Sequence, residues 1–300
     1  MPAIQLAAGD AAVHVAPELG GAITSYMVRG RPVLRETPAT AFATGNVRLA
    51  SCYPLVPYSN RIRDATLSFG GRDHPLDRNF GSHPHAIHGV GWQRAWSVVF
   101  CEPARMQLSL VHDPSLHGER AWPWSFRATQ TFELAPAASL SVTMTIANTD
   151  VEPFPFGLGW HPFFAADAAT AVSFLAGGMW ENDDTQLPLH HVGVPAAWPF
   201  HDGRMRGDVV LDNVFTGWSG RADVVAPSSG VRAALSADRA CRFLVVYAPP
   251  QADFIAIEPV THETDAFNRA AQGARDTGCR VLAPGQPFSC TMRVAASALD

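Results

Sequence analysis

Chain breakers set the terms for this fold: glycine and proline each occupy 24 of 300 positions and are scattered along the whole length. Punctuation this frequent leaves little room for long helices. Between the breaks lie short runs with strand character. In the clearest, Leu140, Val142, Met144 and Ile146 alternate with Ser141, Thr143 and Thr145. A period of two marks a strand with one face buried and the other wet. Similar runs at 12–15, 65–69, 96–100, 106–111, 127–134, 243–247 and 254–257 predict an all-β sandwich with few short helices. The best helix candidate, residues 262–276, is rich in alanine but interrupted by Gly273. It is expected to form about two or three turns at the periphery. No repeat or linker-like shift in composition divides the chain, so residues 1–300 are expected to form one domain.

Composition removes several kinds of chemistry. With 47% hydrophobic and 16% charged residues the chain can bury a large core, and its net charge of -5 provides no basic footprint for nucleic acid. All 22 basic residues are arginine, because no lysine occurs anywhere. Schiff-base catalysis, a pyridoxal phosphate anchor and a phosphate-loop lysine are therefore excluded. The five cysteines, Cys52, Cys101, Cys241, Cys279 and Cys290, form no C-x-x-C pair and suggest neither a disulfide framework nor a zinc ribbon. Residues 1–10 lack the pattern of a secretory signal, and no run of about 18 apolar residues suggests a membrane span. A cytoplasmic location and no membrane partner are the expectation.

Histidines carry most of the remaining information. The segment 82–92, SHPHAIHGVGW, places His83, His85 and His88 close together. A metal site there is disfavoured, because Pro84 breaks the strand geometry and no carboxylate lies nearby to orient the rings. A turn that presents His88 to a cleft, with His83 and His85 as structural or solvent-facing neighbours, fits better. Gly89 and Gly91 are not a dinucleotide loop, since position 94 is Arg where the third glycine belongs. His262 and Glu263 begin an H-E-x-x-H pattern that ends in Ala266, so a zincin site fails too.

A further histidine, His161, sits in FGLGWHPFF among aromatics. Core packing is one role for it; an acid role requires a nearby carboxylate to hold the proton against the effect of burial. Glu258 is a suitable carboxylate, closing the apolar run 254–257 just before Pro259 at the expected rim of a buried region. Asp212 similarly ends a strand-like run flanked by aromatics.

Taken in chain order, these segments resemble the aldose 1-epimerase (galactose mutarotase) family. The matching pieces are Asn60-Arg61-Ile62, Ile87-His88-Gly89 with Gly91, Trp92 and Trp96, Gly159 to Phe164, Asp212 with Phe215, and Glu258-Pro259 through Ala266-Phe267-Asn268. Val90, Phe163 and Thr264 depart from the family pattern, at positions where glycine, tyrosine and proline are often found. The resemblance implies a large antiparallel β-sandwich of the galactose mutarotase-like supersandwich type. It also implies that Glu258 is the general base, His161 the general acid and His88 an assistant at the ring oxygen or a neighbouring hydroxyl. Arg61, Asp212 and Asn60 would hold the sugar or shape its pocket.

The implied activity is interconversion of the α and β anomers of a free aldose by acid–base ring opening, without metal or cofactor. The acid and base are expected to straddle the sugar rather than neutralise each other. Trp92 and Trp160 are candidates to stack on a pyranose, with core packing as their other role. Rival readings are a hexose-phosphate 1-epimerase, for which Arg63, Arg72, Arg78 and Arg94 are the nearby basic residues, and a non-catalytic sugar-binding or regulatory module. The expected partner is a small sugar, with the protein a monomer or homodimer.

Overall fold

The computed structural model describes residues 3–198 and 200–299; of the expected 1–300 domain, positions 1, 2, 199 and 300 lie outside the described residues. Two large sheets carry the architecture, one eleven-stranded and one nine-stranded. Their ladders are antiparallel. The period-two segment forms the strand Ser139–Asn148, in which buried and half-exposed residues alternate without a break. It lies between Phe126–Ala135 and Pro287–Ala298 in the nine-stranded sheet. The inward faces of both sheets merge in one apolar core, in which Tyr26 of one sheet donates its hydroxyl at 2.7 Å to Ala138 O, in a turn between two strands of the other.

The middle of the eleven-stranded sheet reads differently. Four neighbouring strands there, Cys52–Leu55, Gly159–Ala165, Phe254–Val260 and Phe243–Ala248, are buried on both faces along most of their length. Continuous apolar runs, rather than alternation, are what sequence shows for strands covered on both sides. The second cover comes from a separate cluster that includes Tyr53, Trp92, Phe163, Val214 and Val245.

The helices are few and short: Ala39–Thr44, Pro114–His117 and Ala266–Ala271. The last falls within the expected 262–276 segment but is not peripheral. Ala266, Phe267 and Asn268 are buried, and Phe267 packs edge-on against Tyr58. Its polar side chains are turned inward instead: Asn268 Oδ1 accepts from Ser68 N, and Asp265 Oδ1, just before the helix, accepts from Arg63 N.

Candidate active site

Register alone brings the two proposed proton-transfer residues together. Strands Gly159–Ala165 and Phe254–Val260 pair Gly159 with Val260 and Phe163 with Ala256, one register that sets His161 directly opposite Glu258. No ladder pair forms between those two points. Pro162 and Pro259, each following a candidate residue, lack the N–H that a continuous ladder needs. Cross-strand neighbours on one face have Cβ atoms about 5 Å apart, close enough for side chains to touch. His161 Nε2 accordingly lies 3.1 Å from Glu258 Oε1.

The same face supplies the floor of a cavity of about 450 Å³, within the usual range of small-molecule sites. One row across the sheet runs Tyr53, His161, Glu258, Val245. The next row runs Phe163, Ala256, Tyr247, Asp212. Asp212 thus stands three strands from His161, roughly 14 Å across the sheet. The wall is a small two-stranded ribbon in which Arg61–Ile62 pairs with Ala86–Ile87, carrying Asn60, Arg61 and His88 over the floor. All six candidates named from sequence line this one cavity.

The wall is held in unusual backbone. Asn60 (φ 55°) and His88 (φ 63°) are both left-handed, which for residues other than glycine is uncommon and concentrates at functional sites. Gly89 follows at φ +68°, where a Cβ would meet Val56 O at 2.4 Å. The ribbon is locked by Asn60 N–H donating to His88 Nδ1 at 3.0 Å and by Arg61 reaching Asn60 Oδ1 at 2.9 Å and Asp212 Oδ2 at 3.1 Å. Asp212 is therefore pinned to the wall from the floor.

Electrostatics follows from burial. Glu258 is 2% exposed and its carboxyl is raised well above the ordinary range, chiefly by desolvation and then by Asp212. His161 is pulled well below its ordinary value, again by desolvation first, then by His88 and Arg35. Neutral forms are favoured on both sides, so the pair holds one proton between two side chains. His88, pushed down to about 3 by burial and Arg61, is neutral. Since its Nδ1 accepts from Asn60, its Nε2 carries the proton as a hydrogen-bond donor.

The direct contact corrects the expectation of a straddling pair: the candidate acid and base touch. Glu258 also lies inside its strand, not at an exposed rim. Trp92 and Trp160 are both 1% exposed and belong to the packing, leaving no ring face for a sugar. His83 is half-buried at the margin, while His85 is buried and structural, its Nδ1 accepting from Asp64 N at 3.0 Å. Among Arg63, Arg72, Arg78 and Arg94, none lines the cavity. Arg63 faces Asp265 at 3.6 Å and Arg94 bonds His112 at 3.0 Å.

Sequence reading missed two arginines that do line it, Arg35 and Arg48. Arg35 lies 3.5 Å over the Phe163 ring, whose face stacks on His161 at 4.3 Å, a sandwich that fixes the imidazole plane. Tyr53 and Tyr247 were missed as well; single tyrosines in strand-like runs carry no signal of their own.

Comparisons with known proteins extend over nearly the whole chain. A family model described as aldose 1-epimerase matches residues 2–295. The protein YphB of Escherichia coli K12, named as uncharacterized, is 29% identical over 281 residues, 91% of each chain. A candidate aldose 1-epimerase from Escherichia coli K12 superposes with a TM-score of 0.87 at 26% identity, covering 99% of both chains. Galactose 1-epimerase from Lactobacillus acidophilus gives 0.81 at 18% identity over 99% of this chain and 95% of that one, a likeness of fold.

Proposed function

The chain belongs to the aldose 1-epimerase family, and from that premise we propose that it interconverts the α and β anomers of an aldose, with Glu258 and His161 as the proton-transfer pair. The observation that carries the reading is the 3.1 Å contact between the two, on the floor of a sugar-sized cavity. Residues 1–300 are taken as a single domain of this type, a reading supported by the core that both sheets share.

Ring opening needs a proton taken from the C1 hydroxyl and another given to the ring oxygen. A pair that owns one proton can do both. Moving that proton from Glu258 to His161 creates a carboxylate and an imidazolium without changing the total charge. The carboxylate then accepts the hydroxyl proton while the imidazolium protonates the ring oxygen. Glu258 ends protonated and His161 neutral, the distribution that burial itself favours. Rotation about C1–C2 presents the other carbonyl face, and closure runs the same transfers backward. Each group contributes about 10² to 10⁴ in rate. The sugar must enter beside the pair and draw His161 from Glu258; Glu258 Oε2, buried and without a protein hydrogen-bond partner, is the atom nearest to hand for O1.

The remaining groups position the substrate. His88 donates from Nε2 and, being neutral, serves as a hydrogen-bond donor and not as a proton source. Arg61 and Asp212, already joined, present donors and acceptors to sugar hydroxyls, and Asn60 fixes Arg61 from the other side. The test is exchange spectroscopy on equilibrated aldoses, with and without protein. Acceleration of α/β exchange is expected. Binding without acceleration would make the protein a sugar-binding module instead. A His161→Asn variant within a few-fold of the parent would defeat the assignment of His161 as the acid.

A further inference from the structure

The catalytic cavity holds more positive charge than its own chemistry uses. Of its carboxylates, Asp212 is joined to Arg61 and Glu258 to His161. Arg35 and Arg48 remain. Arg35, drawn down to about 10 by burial, is still a cation at neutral pH. Its Nε and Nη2 donate to Ala50 O at 3.1 and 2.9 Å, and Nη2 also reaches Arg48 O at 2.5 Å. Arg35 thereby fastens the loop that carries Arg48. Asp253 contributes to the field at Arg35 but forms no ion pair with it among the described residues.

Arg48 is exposed, with its guanidinium 4.2 Å over the ring of Phe80, and has no ion pair among the described residues. It stands where two cavities meet. Arg48, Asn46 and Phe80 line both the catalytic cavity and an adjoining groove of about 350 Å³. Tyr247, which lines the same cavity, is raised by burial and then by Asp212, and is also within the field of Arg48, Arg61 and Arg35, which lower it. A guanidinium stacked on an aromatic ring keeps its edge donors free for a planar or tetrahedral anion.

Resting on the anomer-exchange reading above, we infer that Arg48 is a specificity-determining residue that reads an anionic substituent on the exocyclic end of the sugar, a phosphate ester or a carboxylate. The reacting C1 and ring oxygen sit over Glu258 and His161, and the far end of the ring projects toward the rim, where the groove gives the substituent room. Arg35 acts through Arg48 as a positioning residue for its loop.

The experiment measures α/β exchange rates of glucose, glucose 6-phosphate and glucuronate by exchange spectroscopy, in the parent, Arg48→Gln, Arg48→Lys and Arg72→Gln. The parent is expected to favour one or both charged sugars over glucose by at least about tenfold in kcat/KM, with KM for them rising as salt is added. Arg48→Gln should pull that ratio toward one, Arg48→Lys should restore part of it, and Arg72→Gln, on a remote exposed hairpin, should leave it alone. Phosphate preferred over carboxylate, or the reverse, identifies which anion the rim is built for. A parent that favours glucose, or a ratio unmoved in Arg48→Gln, overturns the inference while leaving anomer exchange standing. Exchange of no sugar at all defeats both.

Discussion

Replacing Glu258 by glutamine isolates the proton from the shape. The amide fills the same volume at a position 2% exposed, opposite His161, but cannot accept a proton from O1 or store one for return. Loss of the base alone removes about 10² to 10⁴ in rate, and His161 also loses the partner that supplies its proton, so kcat should fall by at least about 10³. That corresponds to roughly 4 kcal/mol of barrier. KM should change little, because the hydroxyl-binding groups are untouched. Stability gives a second, independent reading. A carboxyl raised above its unfolded value of 4.5 is protonated in the folded chain and ionised in the unfolded one as pH climbs past that value. The folded state then binds more protons, so the parent loses stability with rising pH relative to a variant with no such group. Glu258→Gln should therefore gain on the parent as pH rises above about 4.5, by up to about 1.4 kcal/mol per pH unit, until the folded-state carboxyl itself ionises. Anomer exchange spectroscopy measures the rate, and urea denaturation at pH 5, 6 and 7 measures the stability difference. Turnover within tenfold of the parent, or a stability difference flat across this range, would refute the shared-proton argument.

Further outcomes follow from the wall of the cavity. His88→Phe keeps an aromatic ring but removes the Nε2 donor and the acceptor for Asn60 N–H, and should lower kcat by about 10- to 100-fold in the same exchange assay. Arg61→Lys cannot reach Asn60 and Asp212 together and should raise KM about tenfold or more, as read from substrate titration. Gly89→Ala combines a positive φ with a Cβ at 2.4 Å from Val56 O and should destabilise by about 2 kcal/mol or more in urea melts, with a matching loss of activity.

Much of the fold could be read directly. Alternation at 139–148 declared a half-wet strand, and the density of glycine and proline ruled out a helical body. Three of the candidate residues stand beside a backbone signal, His88 before Gly89, His161 before Pro162 and Glu258 before Pro259, but each signal is weak alone; the resemblance in chain order is what joins them with Asn60, Arg61 and Asp212. The contact between His161 and Glu258 was not reachable, because it depends on a register between strands nearly a hundred residues apart. Alanine-rich composition predicts the helix that forms at 266–271 but predicts it at the surface, since composition does not reveal that its Asn268 accepts from a neighbouring amide and is buried. Arg35 and Arg48 stayed hidden for the same reason. The arginines weighed near His88 lie off the cavity, while Arg35 and Arg48 reach it from the segment between the strands Arg31–Pro32 and Cys52–Leu55.

Whether two side chains act as one proton-holding unit is decided by comparing anomer exchange in Glu258→Gln, His161→Asn and the combined variant. A pair that shares a proton fails when either member goes, so the double variant should be no slower than the worse single one. Losses that multiply would mean two groups working separately, and the account of the cavity would fall.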